Sequence, residues 1–157
     1  MDNYYDSISK GYTKLHMEEQ QKKLSIIKKN LKIKKNFLLL DVGCGTGISS
    51  DFACKVICID PSLGLVRQSV KTKVNGEAEH LPFKDGIFDA VISVTAIHNF
   101  QDIGLGLHEM KRVGKNLFVF SVLKKSANFE RIKSLILKNF SVKKTIEEEK
   151  DLLFFVC

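Results

Sequence analysis

LLLDVGCGTG, residues 38–47, runs from an apolar stretch straight into three glycines at alternate positions. An apolar run stopped by glycine reads as a buried strand that hands the chain to a tight turn. Glycine has no Cβ and accepts positive φ, so such a turn lets backbone approach a ligand closely. The spacing here is Gly43-x-Gly45-x-Gly47, whereas the dinucleotide fingerprint is G-x-G-x-x-G. A plain strand-to-helix turn looks the same, so the glycines alone leave three readings open: a pyrophosphate, a nucleoside, or no ligand.

Working outward, KVICID (55–60), FDAVISV (88–94) and NLFVFSVL (116–123) are further apolar strands, and FSVKKTI (140–146) with DLLFFVC (151–157) reads as a closing hairpin. Helical spacing appears within 18–33 (Leu24, Ile27, Leu31) and 62–73 (Leu63, Val66, Val70). It recurs at Ile103, Leu107 and Met110, and at Phe129, Ile132 and Leu135 or Ile136. Strands alternating with helices predict an α/β, Rossmann-like doubly wound sheet, mostly parallel, with helices on both faces and a C-terminal antiparallel strand. At 157 residues this is one domain, 1–157, with a helical cap over 1–35 and the core over 36–157. Ligands of open sheets bind outside the carboxyl ends of the strands, which is where the glycine turn falls.

Two carboxylates sharpen that placement. Asp41 ends the first strand, where a negative charge would oppose a pyrophosphate but suit an ammonium group. Asp60 ends the second, 17 positions after Gly43, where an acid can accept hydrogen bonds from both ribose hydroxyls. GEAEHLPF (76–83) then sets Glu77 and Ala78 at the end of a short strand, positioned to read an adenine edge, with Leu81-Pro82-Phe83 as its wall. Asp60-Pro61-Ser62 is also what a helix cap looks like.

The formal net charge is +7, with lysines crowded at 22, 23, 28, 29, 32, 34 and 35. That excess suits polyanions including RNA, although a solvated helix face explains it equally and no aromatics interleave as stacking platforms. The four cysteines, 44, 54, 58 and 157, lack a companion pair or histidine to complete a zinc set, so no metal is expected. The opening MDNYYDSISK has no basic end followed by an apolar run, and no apolar run approaches the roughly 18 residues of a membrane span. A cytoplasmic protein with reduced thiols and no membrane contact is expected.

LLLDVGCGTG, VICIDPS, GEAEHLPF and FDAVISVTAIHNF, in that order, resemble the successive motifs of class I S-adenosylmethionine-dependent methyltransferases. Within that class the chain resembles the broad group that includes ubiquinone and menaquinone methyltransferases, and the likeness runs from YDSISKGY (5–12) to the final hairpin. The resemblance implies S-adenosyl-L-methionine as cofactor. It places Gly43, Cys44, Gly45 and Gly47 beneath the methionine part, with Asp41 supporting its amino group. Asp60 and Pro61 fall at the ribose, and Glu77 and Ala78 at the adenine. Val94 and Thr95 line the methyl, and Tyr12 closes over the site. Two departures stand out: only twelve residues separate Gly47 from Asp60, so the first core helix should be stunted, and the usual insert after the fifth strand is missing.

Methyl transfer from a sulfonium is an in-line displacement, and a base is needed only for a nucleophile that holds its proton. His98, in TAIHNF, is the candidate placed for that work, against a packed histidine as the plain alternative. The chain has no Asn-Pro-Pro-Tyr tetrad after this strand, which disfavours methylation of exocyclic base amines. The expected function is therefore methyl transfer to RNA, such as tRNA, or to a small molecule. The runner-up is a non-catalytic S-adenosylmethionine-binding regulatory module, and an NAD-dependent oxidoreductase is a third reading disfavoured by the glycine spacing. Some relatives need an activator subunit that extends the sheet edge, so a partner subunit or self-association at the short strand around Val74 to Ala78 is also expected.

Overall fold

The computed structural model describes residues 2–45, 47, 51–68 and 72–157, with the side chains of 2–13 and 66–68 outside that description. In chain order the elements are α1 (Asp2–Asn30), β1 (Leu38–Val42), β2 (Lys55–Asp60), α2 (Leu63–Gln68), β3 (Thr72–Asn75) and β4 (Phe88–Val94). A 3-10 turn at Ile97–Asn99 leads to α3 (Ile103–Val113), β5 (Gly114–Leu123), α4 (Phe129–Asn139), β6 (Val142–Glu147) and β7 (Asp151–Val156). The described strands form one seven-stranded sheet in the order β3-β2-β1-β4-β5-β7-β6. β1 to β5 pair in parallel, and β7 enters antiparallel between β5 and β6. The doubly wound sheet expected from the alternation is present.

The period of two along each strand divides the core between the two faces. Leu40, Val91, Phe118, Phe120 and Phe154 pack against α3 and α4 through Leu107, Met110, Ile132 and Ile136. Leu39, Ala90, Ile92, Val119, Leu153 and Phe155 pack against α1 through Leu24, Ile27 and Leu31. The first helix extends well before residue 18, where the apolar spacing begins, and its exposed Leu15 and Met17 precede the stretch that docks.

α1 is stitched to the C-terminal hairpin by charge as well as by apolar packing. Lys150 pairs with Glu19, Lys144 donates to Asn30 Oδ1 at 2.7 Å, and Lys23 pairs with Asp151 at 3.3 Å. The N-terminal segment thus covers the sheet face on which β7 presents Asp151.

The stunted first core helix falls partly on residues 48–50, which lie outside the described residues. Residues 51–54 run without helix into β2. β3 ends at Asn75, so Glu77 and Ala78 sit in the loop beyond it rather than on its last residues. Among the described residues no helix is long and apolar enough to cross a membrane.

Candidate functional site

β1 and β4 are neighbours whose connections leave toward opposite sides, which makes the gap at their carboxyl ends the switch point of the sheet. Pairing of the two strands stops at Asp41 and Ile92. Just beyond, the Ser93 hydroxyl donates to the Val42 carbonyl at 2.9 Å, satisfying a buried acceptor where the ladder opens. The chain then turns through Gly43, Gly45 and Gly47 at φ of 73°, 56° and 84°, a region closed to most other residues.

The glycines are needed for different reasons. A Cβ on Gly43 would stand 2.5 Å from the Ala96 Cβ, so the turn and the exit of β4 touch only because Gly43 has none. A Cβ on Gly45 would meet Leu65 at an ordinary 3.9 Å. Within the protein the crowding is at Gly43, and Gly45 is held by its φ.

Asp60 braces this turn. One carboxylate oxygen accepts from the Gly45 amide at 2.9 Å and the other from the Ser62 amide at 2.8 Å. The capping and ligand roles weighed for it are compatible, because each carboxylate oxygen has a second lone pair. Asn75 completes the rim by donating to the Asp60 and Pro61 carbonyls, each at 3.0 Å.

A cleft opens beside the turn, lined by Val42, Gly43, Ile59, Pro61, Glu77 and Ala78. Glu79, Asn99, Phe100 and Gln101 line it as well. The sequence offered Leu81-Pro82-Phe83 as the wall at the adenine, and the structure places these residues elsewhere. Leu81 is buried in the core, Phe83 packs edge-on against Phe88 at 4.9 Å, and neither they nor Pro82 line the cleft. Phe100 follows His98 by two residues, so an aromatic at the end of TAIHNF was the available signal for the true wall.

The loop that carries Glu77 and Ala78 is fixed from behind. Buried Glu79 accepts from the Asp102 amide at 3.0 Å, and Glu109 accepts from the Leu81 amide at 3.0 Å. Arg112 donates to the Leu81 and Phe83 carbonyls while pairing with Glu109 and Asp85. The Arg112 hydrogen bond, aided by the Leu81 amide, holds the Glu109 carboxyl below the usual carboxylate range.

Other sequence candidates scatter around this cleft. Asp41 is fully buried, on the α1 face of β1. The Cys44 thiol is buried beside Cys58, which with desolvation and the nearby Asp41 pushes its pKa far up, so it is an inert core group. Tyr12 falls on α1, and its side chain lies outside the described residues. Val94 is buried in the α1-face core and Thr95 follows it with a left-handed φ of 52°. His98, on the turn after β4, is lowered in pKa chiefly by burial, and its Nδ1 has no hydrogen-bond partner among the described residues. Val94, Thr95 and His98 do not line the cleft. They sit on the β4–β5 side, beside a buried group that sequence reasoning missed: Lys23, Ser121 and Asp151.

Comparison with known proteins agrees with this geometry. The family described as Methyltransferase domain matches residues 40–119. An uncharacterised protein of Methanocaldococcus jannaschii is 30% identical over 94% of this chain and 66% of its own length. A demethylmenaquinone methyltransferase of Thermobifida fusca is 37% identical over 50% of this chain and 39% of its own. The chain thus spans two thirds or less of these relatives. Among solved structures, a chain in the Haloferax volcanii complex between the Trm112 methyltransferase activator and a methyltransferase superposes with a TM-score of 0.75. It is 16% identical, and the match covers 96% of this chain and 93% of that one.

Proposed function

The chain belongs to the class I S-adenosylmethionine-dependent methyltransferases, and from that premise we propose that it methylates RNA, with His98 as the base that relieves the acceptor of its proton. The observation that carries the cofactor part is the convergence of three features on one cleft: the positive-φ glycine turn, the Asp60 carboxylate bracing it, and the Glu77–Ala78 loop. The residues present fit the cofactor, since the turn carries three positive-φ glycines and a Cβ on Gly45 would meet only Leu65, at an ordinary 3.9 Å.

S-adenosylmethionine, when bound, supplies a methyl group already activated on a sulfonium. Everything else falls to the chain. Asp60, with Pro61, would hold the ribose, Glu77 and the Ala78 amide the adenine edge, and Phe100 its face. Asp41, buried next to the turn, would offset the amino group of the methionine part. Holding nucleophile and methyl in line can supply several kcal/mol, and the rigid, doubly braced turn is what such orientation requires. His98 is uncharged near neutral pH because burial opposes its protonation, which leaves a nitrogen lone pair to accept a proton.

RNA is favoured by charge and by edge geometry. Lys22, Lys28, Lys29, Lys32, Lys34 and Lys35 are exposed along α1 and its exit. β3 is an outer strand with Thr72, Lys73 and Asn75 exposed, so it can accept an added strand from an activator subunit. The superposition on the Haloferax volcanii chain supports that reading at the level of fold. A second reading, a small acceptor in the cytoplasm, is supported by the likeness to the demethylmenaquinone methyltransferase.

Calorimetry with S-adenosylmethionine, its demethylated product and NAD tests the cofactor. A labelled-methyl screen of cell extract, split into RNA, protein and small-molecule fractions, tests the acceptor. Transfer to the RNA fraction that strengthens at low salt is expected. Full-rate transfer to a small molecule by a monomer refutes the RNA reading. Cofactor affinity with no transfer to any fraction would make the chain a binding module.

A further inference from the structure

A buried polar cluster lies where α1, β4, β5 and β7 meet, one residue away in the chain from a contact with the glycine turn. Lys23 and Asp151 are 2% and 0% exposed at their side chains and 3.3 Å apart. Lys23 Nζ also donates to Thr95 Oγ1 at 2.8 Å. The Thr95 hydroxyl in turn donates to Asp151 Oδ2 at 2.7 Å, and the Ser121 hydroxyl donates to the same oxygen at 2.5 Å. A buried ion pair adds little net stability over apolar residues of the same volume, so its use here calls for another reason.

The backbone of Thr95 supplies one. Pairing of β4 with β5 ends at Val94 and Ser121, and the next residue, Thr95, has a φ of 52°. A β-branched residue in that left-handed region is strained and persists only where its surroundings fix it. Thr95 is fixed twice: its amide donates to the Ser121 carbonyl at 2.9 Å, and its hydroxyl sits between Lys23 and Asp151. The kink delivers the chain to Ala96, which is buried against the glycine turn. A Cβ on Gly43 would stand only 2.5 Å from that of Ala96. The Ala96 carbonyl then accepts from the Asn99 amide at 3.0 Å, within the 3-10 turn that brings Asn99, Phe100 and Gln101 to the cleft. The seat of Gly43 and the approach of Phe100 thus both follow from the direction the chain takes at Thr95.

We propose that Asp151 is a positioning residue of the cofactor site: it grips the Thr95 hydroxyl and so holds the left-handed kink that seats Ala96 against Gly43. Lys23 offsets the charge that this grip buries. The bearing on catalysis rests on reading the glycine turn as the seat of the cofactor. Neither Asp151 nor Lys23 touches cofactor or acceptor in this scheme, and both act through the backbone at Thr95.

The test separates the hydroxyl of residue 95 from its backbone. Thr95→Val keeps the branched shape and loses the hydroxyl. Thr95→Gly loses it too, but takes a positive φ without strain. In the full chain, Thr95→Val is expected to shift the Gly43 amide resonance in NMR. It should also weaken S-adenosylmethionine binding in calorimetry about tenfold, as loss of a hydrogen bond to a charged group does. Thr95→Gly should bring both readouts back toward those of the unaltered chain, although it removes more packing. A hydroxyl that served stability alone would give the reverse order, because glycine leaves the larger void. Lys23→Met with Asp151→Leu, which replaces the ion pair by apolar groups, should reproduce the Thr95→Val effects and add nothing to Thr95→Gly. If Thr95→Val does not fold, that pair decides by the same two readouts. An unmoved Gly43 amide overturns the proposal, and so does Thr95→Gly binding the cofactor no better than Thr95→Val. A Gly43 amide that moves while affinity holds overturns the link from the kink to the cofactor site. If the unaltered chain itself binds no S-adenosylmethionine, the reading of the turn fails instead, and the Gly43 amide still decides whether Asp151 holds the kink.

Discussion

Two regions meet at the carboxyl ends of the central strands, and they are made of different materials. The cofactor side is built from backbone: a turn with glycine at every second position, carbonyls and amides bridged by Asp60 and Asn75, and a loop clamped by Arg112. The β4–β5 side is built from side chains: a buried lysine, a buried aspartate and two hydroxyls in mutual contact. A backbone site leaves a sequence pattern because only glycine fits certain positions. A side-chain site can be assembled from residues far apart in the chain, here 23, 95, 121 and 151, and leaves almost none.

The sharpest way to break this contrast is at the one point where the two regions touch. Gly43→Val introduces a Cβ 2.5 Å from that of Ala96 at a φ of +73°, so steric overlap and backbone strain act together. Cofactor binding should be abolished in calorimetry, and the thermal midpoint should fall. Gly45→Ala, which meets only Leu65 at 3.9 Å, should retain measurable affinity. Equal behaviour of the two variants would mean that the turn does not depend on its contact with the β4 exit.

A smaller effect is expected where only one region is disturbed. Asp60→Ala leaves the Gly45 and Ser62 amides without their carboxylate and removes the proposed ribose acceptor. Hydrogen bonds to a charged group contribute roughly 1.5–3 kcal/mol, so cofactor affinity should fall at least tenfold in a folded variant. The His98 titration should stay where it is, because Asp60 belongs to the backbone-built region. Unchanged cofactor affinity would sink the role of Asp60, and a moved His98 midpoint would show that the regions are electrostatically joined.

Legibility in the sequence followed the same division. The alternation of strands and helices, the hairpin and the glycine turn could be read because apolar runs, helical spacing and glycine each report a local constraint. Phe100 on the cleft wall was missed because it is brought there by the chain returning after β4, a tertiary event that Leu81-Pro82-Phe83 only mimicked. Lys23 was hidden within a run of lysines. Yet it lies four residues before Ile27, on the buried stripe of α1, and that offset marks it as unlike its neighbours. Asp151 likewise opens an apolar strand in step with Leu153 and Phe155, which puts a charge on a core face. Both signals lie in the period rather than in any motif, and they gain meaning only when the topology brings α1 and β7 together.

The smallest expected effect is a separation of the two regions by pH. Burial holds the His98 imidazole below its ordinary 6.5, and the Arg112 guanidinium holds the Glu109 carboxyl below its ordinary 4.5. For each group the unfolded chain takes up its proton at a higher pH than the folded chain does. Stability therefore rises with pH between the two values, is fully present above the unfolded value, and is lost as pH falls through the folded one. For His98 the loss begins as pH drops below 6.5, and for Glu109 only below 4.5. Acid should loosen the β4 exit first and the Leu81–Asp85 loop later. Amide exchange read at both segments across this range gives the order directly, with His98→Gln expected to erase the first loss and Glu109→Gln the second. If both segments open at the same pH in the unaltered chain, the two regions are one cooperative unit and the contrast between them fails.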